Sequence, residues 1–390
     1  MRTLIYNAEI YAEDHLISNG YLLIENKLII DYGEGNYYGE KVDFRIDGKG
    51  KSVIPGFIDL QANGGGGNLF MDSSFQALKN IVNTHIKFGV TGLLGTTVAW
   101  SDQEQFDAIE CCKEFMKINN AGSKILGIHM EGPFINSKKA GTHNKDFLYN
   151  PSIKKLDAFL SKAQGVIKMI TMAPELEGGY EFISYGKSQG ICMSIGHSIA
   201  TYNEAVKAIE SGASMSTHLF NAMNGITGRD PGIITAMLKN SNTFGSIVCD
   251  GVHVHPENVK LLYNMGGAEH LILVTDCAPI AGTGKKEWML EKTKVYIKGY
   301  TGYLDDGTIA GSCLTLNKAA MIARKILNCP VYDILQMGCG NPAKAIGVYG
   351  QRGSISKGKF ADLVIVTDCK EFDAEYVFVE GELMYNSNKN

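Results

Sequence analysis

The sequence predicts an α/β protein: a (β/α)8 TIM barrel with a small β-sandwich domain built from both termini. Between Val53 and Asp276, short apolar runs alternate with helical stretches, a pattern that implies parallel strands joined by crossover helices. Eight such runs fall within a length that suits a closed barrel better than an open sheet. The two ends of the chain read differently, as short β-like runs separated by Gly-rich turns.

Taken in order, the expected barrel strands are 53–59, 90–96, 125–131, 167–173, 192–196, 214–218, 246–250 and 271–275. Helical patterns fill the gaps at 74–88, 103–118, 201–211 and 256–264, with Thr201 as an N-cap and Glu204 three residues on. The expected domains are 1–54 with 348–390 for the sandwich and 55–347 for the barrel. In the sandwich, 21–24, 27–31, 362–366 and 376–379 read as strands, and Asp47-Gly48 and Glu380-Gly381 as turns between paired strands. Residues 293–303 suggest a hairpin near the last barrel strand.

Composition bounds the partners. A net charge of -4, with 45% apolar and 20% charged residues, is that of an ordinary globular protein without bulk attraction to nucleic acid or an anionic membrane. No apolar stretch approaches the roughly 18 residues that span a bilayer, and the N-terminus has no long apolar core of a signal sequence. Nine cysteines without CxxC spacing read as free thiols of a reducing compartment. The expectation is a cytoplasmic protein that contacts neither nucleic acid nor membrane.

The chemistry gathers where the apolar runs end. In the run that closes on Glu131, strand alternation puts His129 and Glu131 on one face and Ile128 and Met130 on the other. Glu131 then sits at the barrel mouth, and His129 one layer below reads best as a hydrogen-bonded core histidine. Taken singly, Glu131 reads equally well as a capping or salt-bridged carboxylate, and His197 or His218 as a structural imidazole. Together, at the ends of three strands, they form a set that suits a divalent metal with coordination positions left for water. Asp276 ends an apolar run and needs a cation or polar partner to stay charged, unless it caps the following segment. The glycine clusters at Gly64–Gly67 and Gly282–Gly284 lack the spacing of nucleotide-binding loops.

The stretches 55–59 (PGFID), 127–134 (GIHMEGPF), 196–198 (GHS), 218–223 (HLFNAM) with 229–232 (RDPG), 250–253 (DGVH) and 275–276 (TD) resemble the N-acetylglucosamine-6-phosphate deacetylase family of the amidohydrolase superfamily. So do 307–312 (GTIAGS), 341–347 (NPAKAIG) and 358–364 (GKFADLV), and the resemblance covers almost the whole chain. It implies hydrolysis of the acetamide of an N-acetylated amino-sugar 6-phosphate, releasing acetate. Many amidohydrolases carry His-x-His after the first strand, where this chain has Gln61 and Asn63. That favours one tightly held divalent metal per subunit, Zn2+ first with Fe2+, Mn2+ or Co2+ as alternatives, on Glu131, His197 and His218. Asp276 is implied as general base and acid, and His143 of the GTHN stretch, beside Thr142, as oxyanion donor. Arg229 is implied for phosphate, and Asn221, the Ala222 backbone and His253 for sugar or phosphate. A loop of Thr308, Ile309, Ala310 and Gly311 is implied to cover the sugar, and the family relation implies a homodimer. Two other readings stay open: an amidohydrolase acting on an unphosphorylated cyclic amide or as a deaminase, and a non-catalytic scaffold.

Overall fold

The computed structural model describes residues 1–290, 293–307 and 309–389. Eight parallel strands form a nearly closed barrel: β1 (Phe57–Ala62), β2 (Val90–Thr97), β3 (Lys124–Glu131), β4 (Ile167–Met172), β5 (Cys192–Ile195), β6 (Met215–Ser216), β7 (Phe244–Val248) and β8 (Leu271–Val274). Neighbours in sequence are neighbours in the sheet, and an isolated parallel bridge from Ala62 to Cys277 joins the last strand to the first. Every residue of β1 and β2 is buried, as expected of strands covered on both faces. On β2 a Cβ at Gly95 would fall 1.8 Å from the Phe70 ring, so only glycine lets that ring pack there.

A helix follows each strand, and the polar starts of several explain their placement. Phe75–His85 begins at Ser74, whose hydroxyl accepts from Ala77 N–H. Asp102–Ile118 and Tyr202–Ser211 start with reciprocal capping boxes, Ser101 with Glu104 and Thr201 with Glu204. Pro256–Gly266 opens on proline, where no backbone donor is lost. Among the described residues, no helix is long and apolar enough to cross a membrane.

The chain ends build a second eight-stranded sheet around a core that includes Ile5, Ile10, Leu22, Val53, Leu363, Ile365 and Phe378. Three sequence expectations change in detail. The run 53–59 is two strands: Ser52–Pro55 pairs with Leu363–Val366 in the terminal sheet, and the barrel strand starts at Phe57. The break falls at Gly56, where a Cβ would strike Thr91 at 2.1 Å. Asp47-Gly48 does not join paired strands, because Phe44–Asp47 and Ser52–Pro55 both lie parallel to Arg2–Tyr11. Glu380-Gly381 does turn an antiparallel pair, Ala374–Val379 with Glu382–Asn386, and both residues have the positive φ of a hairpin turn. The third change is at 309–312. The segment expected as a loop is a strand, Ile309–Ser312, in a four-stranded sheet that also contains the expected hairpin Thr293–Lys298 and Thr301–Tyr303.

Candidate active site

The site forms at the carboxyl ends of the barrel strands. Glu131 is the last residue of β3, whereas His197, His218 and Asp276 each stand two residues beyond the end of β5, β6 and β8. All three have left-handed backbones, with φ of 49°, 32° and 47°. A non-glycine residue adopts that conformation only where surrounding contacts impose it. Gly196 allows it at His197, since a Cβ there would sit 2.8 Å from Thr171 and Thr217. Around His218 the strain continues through Phe220 and Ala222, and the turn is laced by His218 N–H to Ser246 Oγ (2.8 Å) and Ser198 N–H to Ala222 O (3.1 Å).

These backbones bring distant groups together. Glu131 Oε1 lies 3.2 Å from His197 Nε2 and 3.0 Å from His218 Nε2, and the two nitrogens are 3.1 Å apart. His143 Nε2 stands 3.9 Å from Glu131 Oε2, and Glu131, His143 and His197 also offer ligand atoms within 4.8 Å of one another. The outer ring nitrogens separate the roles. His197 Nδ1 faces the Lys139 carbonyl at 2.7 Å, so it must donate, which leaves a bare lone pair on Nε2. His143 Nδ1 instead accepts from Ala99 N–H at 3.1 Å, so its proton sits on Nε2. His197 thus offers a lone pair at Nε2, and His143 a proton.

A lone pair aimed at a carboxylate is repulsive unless a cation lies between them, and in that respect the residues fit a divalent metal. Burial would raise the Glu131 carboxyl, but the imidazoles of His197 and His218 packed against it hold it well below the usual range. Burial lowers His218, and the Glu131 carboxylate overcomes it, leaving it at about 9: its proton stands in for positive charge. For His143, burial wins and lowers it to about 4. Asp276 is raised by burial and by the Glu131 charge.

The remaining sequence-derived residues fall around this centre. Gln61 and Asn63, poor zinc ligands, serve as donors: Gln61 Nε2 reaches Glu131 Oε1 (2.8 Å) and Asp276 Oδ1 (3.1 Å), and Asn63 Nδ2 reaches Asp276 Oδ1 (2.8 Å). His129 is the buried core histidine expected of it, bonded to Leu60 O and Thr171 Oγ1 and held at about 4 by burial. His253 is half-buried and pairs through Nδ1 with Asp250 Oδ2 at 2.6 Å, where Thr301 Oγ1 also donates. Asn221 and Ala222 are half-buried on the turn after His218, and Thr142 is exposed beside His143. Arg229 is exposed, and its guanidinium has no partner among the described residues. Ala310 and Gly311 lie on the strand that Ala278 N–H ties to the barrel through Ser312 O (2.7 Å), while Ile309 is exposed and Thr308 lies outside the described residues.

Sequence reasoning missed the groups that act through their backbone, Lys139 O and Ala99 N–H, which carry no side-chain signal. It also passed over Asp59 as a functional residue, although Asp59, Gln61 and Asn63 share the period-2 spacing of one strand face.

Comparison with known proteins agrees with this geometry. The amidohydrolase family model matches residues 52–384. The N-acetylglucosamine-6-phosphate deacetylase of Bacillus subtilis is 34% identical over 374 residues, covering 94% of each chain. The crystal structure of N-acetylglucosamine-6-phosphate deacetylase from Pasteurella multocida superposes with a TM-score of 0.92 at 32% identity, covering 99% of this chain and 100% of that one. A mutant of the Mycobacterium smegmatis deacetylase in complex with N-acetyl-D-glucosamine-6-phosphate superposes with a TM-score of 0.90 at 26% identity, covering 98% and 99%. A buried His/Glu cluster at the strand ends, an eight-stranded barrel and whole-length similarity converge: the chain belongs to the amidohydrolase family, in its N-acetylglucosamine-6-phosphate deacetylase branch.

Proposed function

We propose that the protein hydrolyses the acetamide of N-acetyl-D-glucosamine 6-phosphate to D-glucosamine 6-phosphate and acetate, in amino-sugar catabolism and recycling. The observation that carries this reading is the meeting of Glu131 Oε1 with the Nε2 atoms of His197 and His218 at 3.0–3.2 Å, beside a half-buried Asp276. Glu131, His197 and His218 would hold one divalent cation, Zn2+ by preference for imidazole and carboxylate ligands. When bound, such an ion acts as a Lewis acid toward water and the amide carbonyl.

The residues of the chain supply the rest. Asp276 takes the proton of the attacking water and returns it to the nitrogen, because an amine leaves only once protonated. His143, with its proton fixed on Nε2 by Ala99, donates to the carbonyl oxygen as negative charge develops there. Arg229 offers a forked cation for the phosphate, and Asn221, Ala222 and His253 hold the sugar or phosphate. Thr142 and the 308–311 segment line the sugar side. We further infer a barrel domain of 55–347 and a sandwich of 1–54 with 348–390, acting as a homodimer in the cytoplasm, where the nine free cysteines remain reduced.

Metal-replete protein should release acetate from N-acetylglucosamine 6-phosphate, and Asp276→Asn should keep its metal while turnover falls by about 10²- to 10⁴-fold. Arg229→Ala should raise KM for the phosphorylated sugar more than for the unphosphorylated one. Absence of acetate release by the metal-replete wild type would overturn the reading.

A further inference from the structure

The barrel seam has a feature that metal binding does not require. The strand order runs from β8 to β1 without a regular ladder closing the ends onto each other. The carboxylate of Asp59, wholly buried, bonds across that gap. Its Oδ1 accepts from Gln61 N–H (3.2 Å) on its own strand and from Thr275 N–H (3.3 Å) across the seam, and its Oδ2 accepts from the Thr275 hydroxyl (2.6 Å). One residue on, Asp276 N–H donates to Gln61 O at 2.9 Å, and the Ala62–Cys277 bridge completes the join. The backbone of Asp276 is therefore fastened on both sides to the strand segment that carries Gln61 and Asn63.

The side chains of that segment then reach back to the same residue. Gln61 Nε2 and Asn63 Nδ2 both donate to Asp276 Oδ1, at 3.1 and 2.8 Å. Asp276 Oδ2 has no hydrogen-bond partner among the described residues. Turning the carboxylate out of its plane about Cβ–Cγ would break both amide bonds at once, so the plane is held, with one oxygen bonded and the other left free. The Asn63 end is itself anchored: the carbonyl of Gly64 accepts from His85 Nε2 (2.9 Å) and from the Cys277 thiol (3.2 Å).

We propose that Gln61 and Asn63 are positioning residues that pin Oδ1 of Asp276, leaving Oδ2 as the oxygen that takes and returns the proton, and that Asp59 sets both by fastening the seam. This rests on Asp276 being the general base. In the reaction, Oδ2 accepts one proton of the attacking water as its oxygen bonds to the amide carbon. It then gives that proton to the nitrogen as the carbon–nitrogen bond breaks and its electron pair stays on nitrogen. An unpinned carboxylate keeps the same chemistry but spends most of its time turned away from the reacting atoms, and misplacement on the scale of 1 Å costs about 10²-fold in rate.

The test is a mutant cycle on the metal-loaded enzyme with N-acetylglucosamine 6-phosphate. Gln61→Leu should lower kcat by about 10- to 100-fold, with KM within about threefold of the wild type and metal content per chain unchanged. In an Asp276→Asn background the same substitution should change the residual kcat by no more than about twofold, because the base that Gln61 orients is gone while its bond to Glu131 is lost equally in both backgrounds. Asn63→Ser gives the same comparison if Gln61→Leu fails to fold. Equal losses in both backgrounds, or an unaltered kcat in the single variants, would overturn the clamp. If Asp276→Asn itself keeps wild-type turnover, the general-base reading falls first and the clamp with it. If Asp276→Asn is inactive while Gln61→Leu and Asn63→Ser are normal, the clamp alone falls.

Discussion

Two charge clusters, each built on a buried carboxylate, Asp362 in one and Glu131 in the other, can be set side by side. In the terminal sheet, Arg352 Nη1 bonds Asp362 Oδ2 at 2.6 Å and Nη2 bonds Glu380 Oε1 at 3.0 Å, while Lys27 reaches Glu380 Oε2 at 2.9 Å. Glu380 N–H also donates to Asp362 Oδ1. At the barrel mouth, Glu131 and Asp276 face three imidazoles and two amides with no arginine or lysine bonded to either carboxylate among the described residues. Several atoms there are left over: Gln61 Oε1, Asn63 Oδ1 and His218 Nδ1 are buried without a partner among the described residues. The first cluster is neutralised from within and holds the fold. The second is arranged for charge that comes from outside, as a cation and a substrate. Burial and charge alone do not tell the two clusters apart; incomplete satisfaction does.

The comparison can be broken most severely at the mouth. Glu131→Gln removes the anion around which both imidazole nitrogens gather, and it should abolish metal retention and lower turnover by at least about 10³-fold, with the far-UV spectrum unchanged. Metal analysis that still finds one ion per chain would refute the assignment of Glu131. Arg352→Ala strikes the other cluster, leaving Asp362 buried and uncompensated, and urea unfolding should show a loss of about 3–5 kcal/mol. Turnover per folded molecule should stay at the wild-type value, and a comparable fall in kcat would mean that the clusters are not separable. His143→Gln should keep the metal and lower kcat by about 10²-fold, whereas loss of metal in this variant would make His143 a ligand.

The smallest expected effect concerns His129, which burial holds at about 4. Its folded value lies below its unfolded value, so the unfolded chain binds the extra proton first. The stability it contributes is complete above about pH 6.5 and is lost as the pH falls toward 4. Urea midpoints should therefore show a loss of about 1–2 kcal/mol from this group between pH 6.5 and 5, flattened in His129→Gln. An identical slope in the variant would assign the loss to other groups.

Much of this arrangement could be read from the chain. Apolar runs ending in Glu131, His197, His218 and Asp276 marked the strand ends, because parallel buried strands must be apolar and their carboxyl ends must be where polarity resumes. Thr201 and Glu204 announced their capping box. What stayed hidden depends on partners remote in sequence. The left-handed backbones of His197, His218 and Asp276 are imposed by packing, not by residue type. The opposite tautomers of His143 and His197 are set by the Ala99 amide and the Lys139 carbonyl, which look like any other peptide group. Asp47-Gly48 misled because a turn dipeptide does not say which strand its neighbours will join, and here both joined Arg2–Tyr11. The run 53–59 misled because hydrophobicity is continuous across Gly56 although the strand is not.

The excursion of chain that follows β3 supplies the carbonyl that accepts from His197 Nδ1 and carries His143 with its proton on the opposite ring nitrogen. Lys139 in the same excursion also reaches Met223 O at 3.0 Å, next to the turn that bears Asn221 and Ala222. Anyone transplanting this centre to another scaffold would therefore have to carry over that whole excursion: copying the histidine side chains alone would deliver imidazoles of undefined tautomer.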